Sequence, residues 1–577
     1  MASLRSTPST LLARSRPRGV KAASLIFAPC GRSLAHVADH HHPSTSADAS
    51  SVRVKPFLLE DLVAEGTSEE KLPQFVLSRK AGFLPRQTPL EHLPKQFETL
   101  DSLLKRMTIR QYDANGKQSG DGLLAKGEFG DAVQRELKLG GIEDKAVNQA
   151  IASGNQQLLS ALFRDYCFAT SAYLLEPTDQ SYRKTGFYSP GRDHLPAQLA
   201  VPLTKLADAL GHQPFMEYAS SYALVNYKFR DPAYTGGEAG RYSFDNMDLI
   251  RSFEDPYGSE RGFILVHIVM VSFSGQALSA TEDALVAAGE RDLVRFEEAM
   301  SRLLDTYRKI NIAMETMWAR SKPSDYLKFR SFIFGTAPKE GNPMFPKGVV
   351  YEGTGDKTAR YFRGESGAND SLVPLLDNLL EITAALPANE LTKTLRDFRS
   401  YRPKTQREYL ESLEARATAA GVKDFALGPA GSAKAKALYL LMVDQVREFR
   451  NRHWMFAREY IIKQTTFEYA TGGSKMLSYL PHNLGVVLSF LDESYAAFTH
   501  KDDAELKARG EHKLLDEVHE AGKRAGVQHR VLLREVEKLK QDAEAKEKEG
   551  DPLYKGRGML GEQRDDGRGW VGADGVG

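Results

Sequence analysis

Five groups of residues in this 577-residue chain have types and spacings that could do chemistry. The first is His453, which falls on an apolar stripe made by Met442, Val446, Phe449, Phe456 and Tyr460. Steps of three and four residues mark one buried face of a helix, and Glu448, Arg452, Arg458 and Glu459 take the other faces. An imidazole on such a face needs a partner for its ring nitrogens, and a metal, haem iron in particular, is one. Taken alone, a core histidine bonded to a carbonyl or hydroxyl is the commoner case. The second is His267 in the apolar run Phe263–Val271, where a neutral imidazole could exchange one hydrogen bond with a substrate or simply be a satisfied core residue. The third is Arg330 among Tyr326, Phe329, Phe332 and Phe334. A guanidinium there suits a carboxylate held by two parallel hydrogen bonds, or lies over an aromatic patch. The fourth is Phe362-Arg-Gly-Glu-Ser366-Gly-Ala-Asn-Asp-Ser371 before a helix. Its small residues allow close backbone approach to a flat ligand, although a capping loop using Asp370 or Ser371 explains it equally. The fifth, Ala470-Thr471-Gly-Gly-Ser474, suits a loop that closes over a site or a plain linker; it lacks the Walker spacing.

The elements that must carry these groups are mainly helical. Helical periodicity is strongest over Ala284–Met317, Leu372–Leu386 and Ala433–Lys463, and Gly348–Tyr351 is the clearest of few strand candidates. The composition predicts an all-α protein in four parts: a leader and linker over 1–55, a small helical domain over 56–230, a larger helical domain over 231–500, and a charged helical tail with a Gly-rich end over 501–577. The tail's narrow seam of Leu532, Val536 and Leu539 fits a solvated, weakly coiled helix. Asp113–Gly122 hints at a calcium loop closed by Glu128, but the EF-hand spacing is broken, so it reads as a connector.

Totals exclude several classes. Hydrophobic residues make up 41% and charged residues 27%, with a formal net charge of +1. That is globular, with no basic field for nucleic acid. Two cysteines, Cys30 and Cys167, do not make a disulfide framework or a thiolate metal site. The most apolar run, Phe263–Val271, is about half of what a membrane-spanning helix needs. The first 38 residues contain no Asp or Glu but carry six Arg or Lys among Ser, Thr and Ala. This matches an organellar transit peptide or an uncleaved tail. A cytoplasmic location is expected, with mitochondrion or plastid as the alternative.

In order along the chain, several pieces resemble the indoleamine 2,3-dioxygenase family of haem enzymes. They are Leu195–Pro202, Asn246–Phe253, Gly262–Val266, Arg330, Pro346–Gly353, Ser366-Gly-Ala368, His453 and Thr471-Gly-Gly. The resemblance covers roughly 56–491 and implies a small N-terminal helical domain packed on a larger one holding haem b. It further implies His453 as the iron ligand, with Arg450, Asp377, Ser366 and Ala368 around the cofactor. Phe263, Tyr326, Arg330, Ser366 and Thr471 would meet the substrate, with His267 and Arg330 closest to the chemistry. The implied reaction inserts both atoms of O₂ across the indole C2–C3 bond of L-tryptophan, giving N-formylkynurenine, with an electron donor keeping the iron ferrous and the protein a monomer. Two departures stand out. His267 replaces the distal serine of mammalian members and resembles the distal histidine of tryptophan 2,3-dioxygenases. Asp325 stands where the family usually has an aromatic. The alternative is an O₂-binding haem protein of the same fold acting on another indole, or without dioxygenase activity; a helical interaction scaffold ranks below both.

Overall fold

In this computed structural model, the described residues are 56–113, 115–337, 342, 344–383, 398–465, 470–471, 476–549 and the pairs 562–563 and 570–571. The leader, with its transit-peptide composition, and the loop residues Gly472–Ser474 lie outside them.

Helices dominate, as the composition predicts. In the N-terminal part, α1 (Leu59–Ala64), α2 (Glu98–Met107), α3 (Leu123–Lys126), α4 (Phe129–Glu136) and α5 (Ile142–Ser153) surround α6 (Gln156–Thr185). Helix α6 starts where the Asn155 side chain accepts from the Leu158 amide and stops at Gly186 in the left-handed region, the residue type that tolerates it best. It is buried almost throughout Leu159–Asp179. Its buried charges are paired: Asp165 receives Arg164 at 2.8 Å and Arg251 at 2.7 Å.

Then follow α7 (Ala197–Leu210), α8 (Glu238–Arg241), α9 (Ser259–Val271), α10 (Ser274–Glu290), α11 (Leu293–Glu315), α12 (Met317–Arg320), α13 (Pro323–Arg330) and α14 (Leu372–Leu379). The C-terminal part holds α15 (Lys404–Ala420), α16 (Val422–Leu427), α17 (Ala433–Ala457), α18 (Met476–Tyr495), α19 (His500–Ala508) and α20 (His512–Glu549). Each sheet among the described residues has only two strands. The strand predicted at Gly348–Tyr351 forms as Val350–Tyr351, pairing parallel with His194–Leu195.

Three expectations change. Ala284–Met317 is not one helix: Arg291, at φ 63°, takes the left-handed conformation and divides α10 from α11. The Leu372–Leu386 run leaves the helix after Leu379, with Glu381 at φ 56°. The tail is more than a solvated helix, because Leu515, Val518, Ala521, Ala525 and Leu532 of α20 are buried in the common core. Ser259–Glu290 is, among the described residues, the stretch long and apolar enough by composition to cross a membrane, which exceeds the run seen in the sequence. It is broken between α9 and α10, and 61% of its most apolar window is buried inside the protein.

Candidate active site

A cavity of about 300 Å³ opens between α9, α13, α14, α17 and α18, and both singled-out histidines line it. Helix α9 contributes Phe263, His267 and Met270, four and three residues apart and so on one face. Helix α17 contributes Phe449, Arg450, His453 and Phe456. The stripe seen in the sequence is therefore real, but it has two functions. Met442 and Val446 lie in the core, while Phe449, His453, Phe456 and Tyr460 face the cavity. The stripe carries past the helix end because Arg458–Ile462 continues as a π-helix.

His453 is half-buried, and among the described residues no protein group hydrogen-bonds its ring. Burial holds its pKa down at about 4, so the imidazole is neutral at neutral pH and its lone pair is free to ligate. No cluster of three or more His, Cys, Asp or Glu suited to a metal exists among the described residues. A metal here would have to bring its own equatorial donors. A flat macrocyclic iron complex bearing acidic groups meets that condition, since the walls include Met270, Met314 and Met317 and one edge carries Arg399, Arg402 and Arg450.

Arg450 is held in place. It donates to Asp377 at 2.5 Å and to the Asn483 carbonyl at 2.9 Å. Burial pushes the Asp377 carboxyl up, against the pull of Arg450.

His267 sits at the end of a hydrogen-bond chain that the sequence did not announce. Tyr218 places its hydroxyl 3.1 Å from His267 Nδ1 and donates to Asp370 Oδ2 at 3.1 Å. With the phenol proton committed to Asp370, Nδ1–H must donate to the phenol oxygen, leaving Nε2 as an acceptor toward the cavity. Burial, and secondarily His453, hold the His267 pKa at about 4. Asp370 also accepts from the Leu372 amide. The N-cap of α14 is Ser371, which makes no side-chain cap bond, so Asp370 binds the first helical amide from the residue before the cap while orienting Tyr218.

The other expected residues divide. Phe263, Tyr326, Ser366 and Thr471 line the cavity, and Phe263 meets Tyr326 at a ring separation of 5.4 Å. Arg330 does not line it. It is fully buried, one turn along α13 from Tyr326, with its guanidinium 4.9 Å from the Phe334 ring centre. Ala368 lies in the 3₁₀ turn Gly367–Asn369, but its side chain is outside what is described. Asp325 is no buried pocket charge: it is half-buried away from the cavity lining, bonded to Ser259 at 2.8 Å and Lys328 at 2.6 Å.

Thr471 lines the cavity, and its hydroxyl donates to the Glu365 carbonyl at 2.7 Å. The approach depends on Gly364, where an added Cβ would sit 2.3 Å from the Thr471 carbonyl oxygen and 2.4 Å from the Gly335 nitrogen.

The sequence profile of the indoleamine 2,3-dioxygenase family matches residues 71–514. The chain belongs to that family. It is therefore a dioxygenase-type oxidoreductase. It is similar to indoleamine 2,3-dioxygenase 1 of Rattus norvegicus, 27% identical over 330 residues, covering 54% of this chain and 75% of the rat protein. An indoleamine 2,3-dioxygenase of Aspergillus nanangensis is 25% identical over 438 residues, 71% of this chain and 95% of that one. A 6-hydroxytryptophan 2,3-dioxygenase of Fusarium equiseti is 21% identical over 401 residues, 68% of this chain and 85% of its own. Family members named for different indoles thus all align over most of their length. Tyr218, Glu365, Arg399 and Arg402 are among the site residues that the sequence alone did not single out; none of these four lies on a periodic stripe that would have marked it.

Proposed function

We propose that this protein is a haem dioxygenase that cleaves the indole 2,3-bond of L-tryptophan with O₂ to give N-formylkynurenine. The observation that carries the proposal is His453, an imidazole without a protein partner on the wall of an apolar cavity shared with His267. His453 would hold the iron, with Arg450 and its partner Asp377 at the cofactor edge. Bound there in its ferrous form, haem b supplies the O₂ chemistry that side chains lack.

The chain's own residues supply orientation. His267 Nε2, left as an acceptor by the Tyr218–Asp370 chain, takes the indole N–H. Phe263 and Tyr326, in contact with each other, form one aromatic wall for the ring system and keep water out. Arg330, fully buried one turn from Tyr326 and off the cavity wall, adds positive potential on that side without touching the substrate. Both oxygen atoms end in the product, so no reductant is consumed per turnover; an electron donor is needed only to keep the iron ferrous.

The test is an assay of haem-loaded protein with L-tryptophan, O₂ and a reductant. Formation of the formylkynurenine chromophore is expected. In His453→Ala the axial imidazole signature should vanish from the haem spectrum, and its survival would overturn the ligand assignment. A second reading, another indole as substrate, is favoured by the similarity to a 6-hydroxytryptophan 2,3-dioxygenase. Parallel turnover of ring-substituted tryptophans decides between them.

A further inference from the structure

Glu365 is the one buried carboxylate on the cavity wall that the proposed mechanism leaves unused. It is 3% exposed, and among the described residues nothing hydrogen-bonds its carboxylate; only its backbone carbonyl is engaged, by Thr471. The other two acids of the wall differ. Asp377 is paired with Arg450, and Asp370 accepts from Tyr218 and from the Leu372 amide. Burying a carboxylate without a partner is costly, and a residue that meets this cost at a ligand cavity is a candidate for contact with the ligand.

Its neighbours indicate what it meets. Its loop lies against the distal histidine: Ser366 and Gly367 line the same cavity, and a Cβ added at Gly367 would be 3.2 Å from His267 Cε1. A buried acid without a partner among the described residues thus stands on the cavity wall near His267. The group that suits it best is a cation brought by the ligand.

We infer that Glu365 receives the primary ammonium group of the substrate and selects indoles that carry a cationic amine. The inference rests on the reading of this cavity as the indole site. Burial raises the empty-site carboxyl to about 8, so an arriving ammonium supplies the counter-charge that ionises it. A hydroxyl on the indole ring is the competing donor. It would meet the protonated acid and leave it neutral, so it predicts a different response to Glu365→Gln.

Binding to the haem-loaded protein is measured by calorimetry and by perturbation of the haem band, using L-tryptophan, tryptamine and indole-3-propionate. The variants are Glu365→Gln, close in shape but uncharged, and Glu365→Asp. Glu365→Gln is expected to weaken L-tryptophan and tryptamine at least about tenfold and to leave indole-3-propionate unchanged or tighter. Glu365→Asp should recover part of the amine preference. Equal losses for all three ligands, no loss for the two amines, a loss confined to ring-hydroxylated tryptophans, or a wild type that binds neither amine would each overturn the inference. Turnover reports separately. A wild type that prefers amines through Glu365 but yields no formylkynurenine sinks the proposed reaction and leaves this inference standing. A wild type that turns over tryptophan with Glu365→Gln unaffected does the reverse.

Discussion

An imidazole can accept an indole N–H only if its proton is fixed on the other nitrogen. In this protein Tyr218 and Asp370 fix it, each within 3.1 Å of the next group. His267→Ala should retain the haem spectrum and bind L-tryptophan about tenfold more weakly; unchanged affinity and turnover would reject the role. Tyr218→Phe should keep the imidazole but release its tautomer, lowering kcat/KM roughly two- to tenfold with normal haem content. An unaltered kcat/KM in Tyr218→Phe would show that the phenol does not orient the ring. The two histidines were legible in the sequence because a polar residue on an apolar stripe breaks a pattern. Tyr218 and Glu365 break none. Tyr218 sits in a short π-helix remote in sequence from both its partners, and Glu365 lies in a loop whose packing alone makes it a buried acid. Asp325 shows the opposite error: an unusual residue at an expected pocket position points outward to Ser259 and Lys328.

At the scale of elements, the site depends on how closely α9 approaches α12. Gly262, beside Phe263, permits it: an added Cβ would lie 1.8 Å from the Arg320 carbonyl oxygen. That neighbour is backbone and cannot swing aside. Gly262→Ala is expected to destabilise the protein by about 1–3 kcal/mol and to weaken substrate binding, because α9 also carries His267. Gly289→Ala, in α10 with nothing within 4 Å, is the control; it should be neutral or stabilising by up to about 1 kcal/mol. Chemical denaturation of the two variants reads both, and equal midpoints would remove the argument. Helix identity was legible from apolar periodicity, whereas boundaries were not. The stop between α10 and α11 uses Arg291 in the left-handed region, where the usual glycine signal is absent. The burial of α20 was hidden because its apolar residues are sparse and its charged ones abundant.

For the whole molecule, pH acts also through a buried pair beside the Tyr218 chain. Burial raises the Glu217 carboxyl from 4.5 to about 8 and lowers the nearby His212 from 6.5 to about 4. The folded state therefore holds a proton on Glu217 that the unfolded chain releases above 4.5, so this contribution is lost as pH rises toward 8. His212 works in the other direction: its contribution is present above 6.5 and is lost as pH falls toward 4. Between pH 6.5 and 8 only Glu217 of this pair titrates. There the wild type should lose about 1–2 kcal/mol more than Glu217→Gln, measured by urea unfolding at each pH; parallel curves would contradict the assignment. A different constraint comes from Glu535 on α20, which receives the indole N–H of Trp454 at 3.3 Å and pairs with Arg458. Both lie on the segment that presents His453. The rear support of that segment is complete only after Glu535 has been synthesised, so the helix that carries His453 reaches its final packing in the finished polypeptide and not earlier in translation.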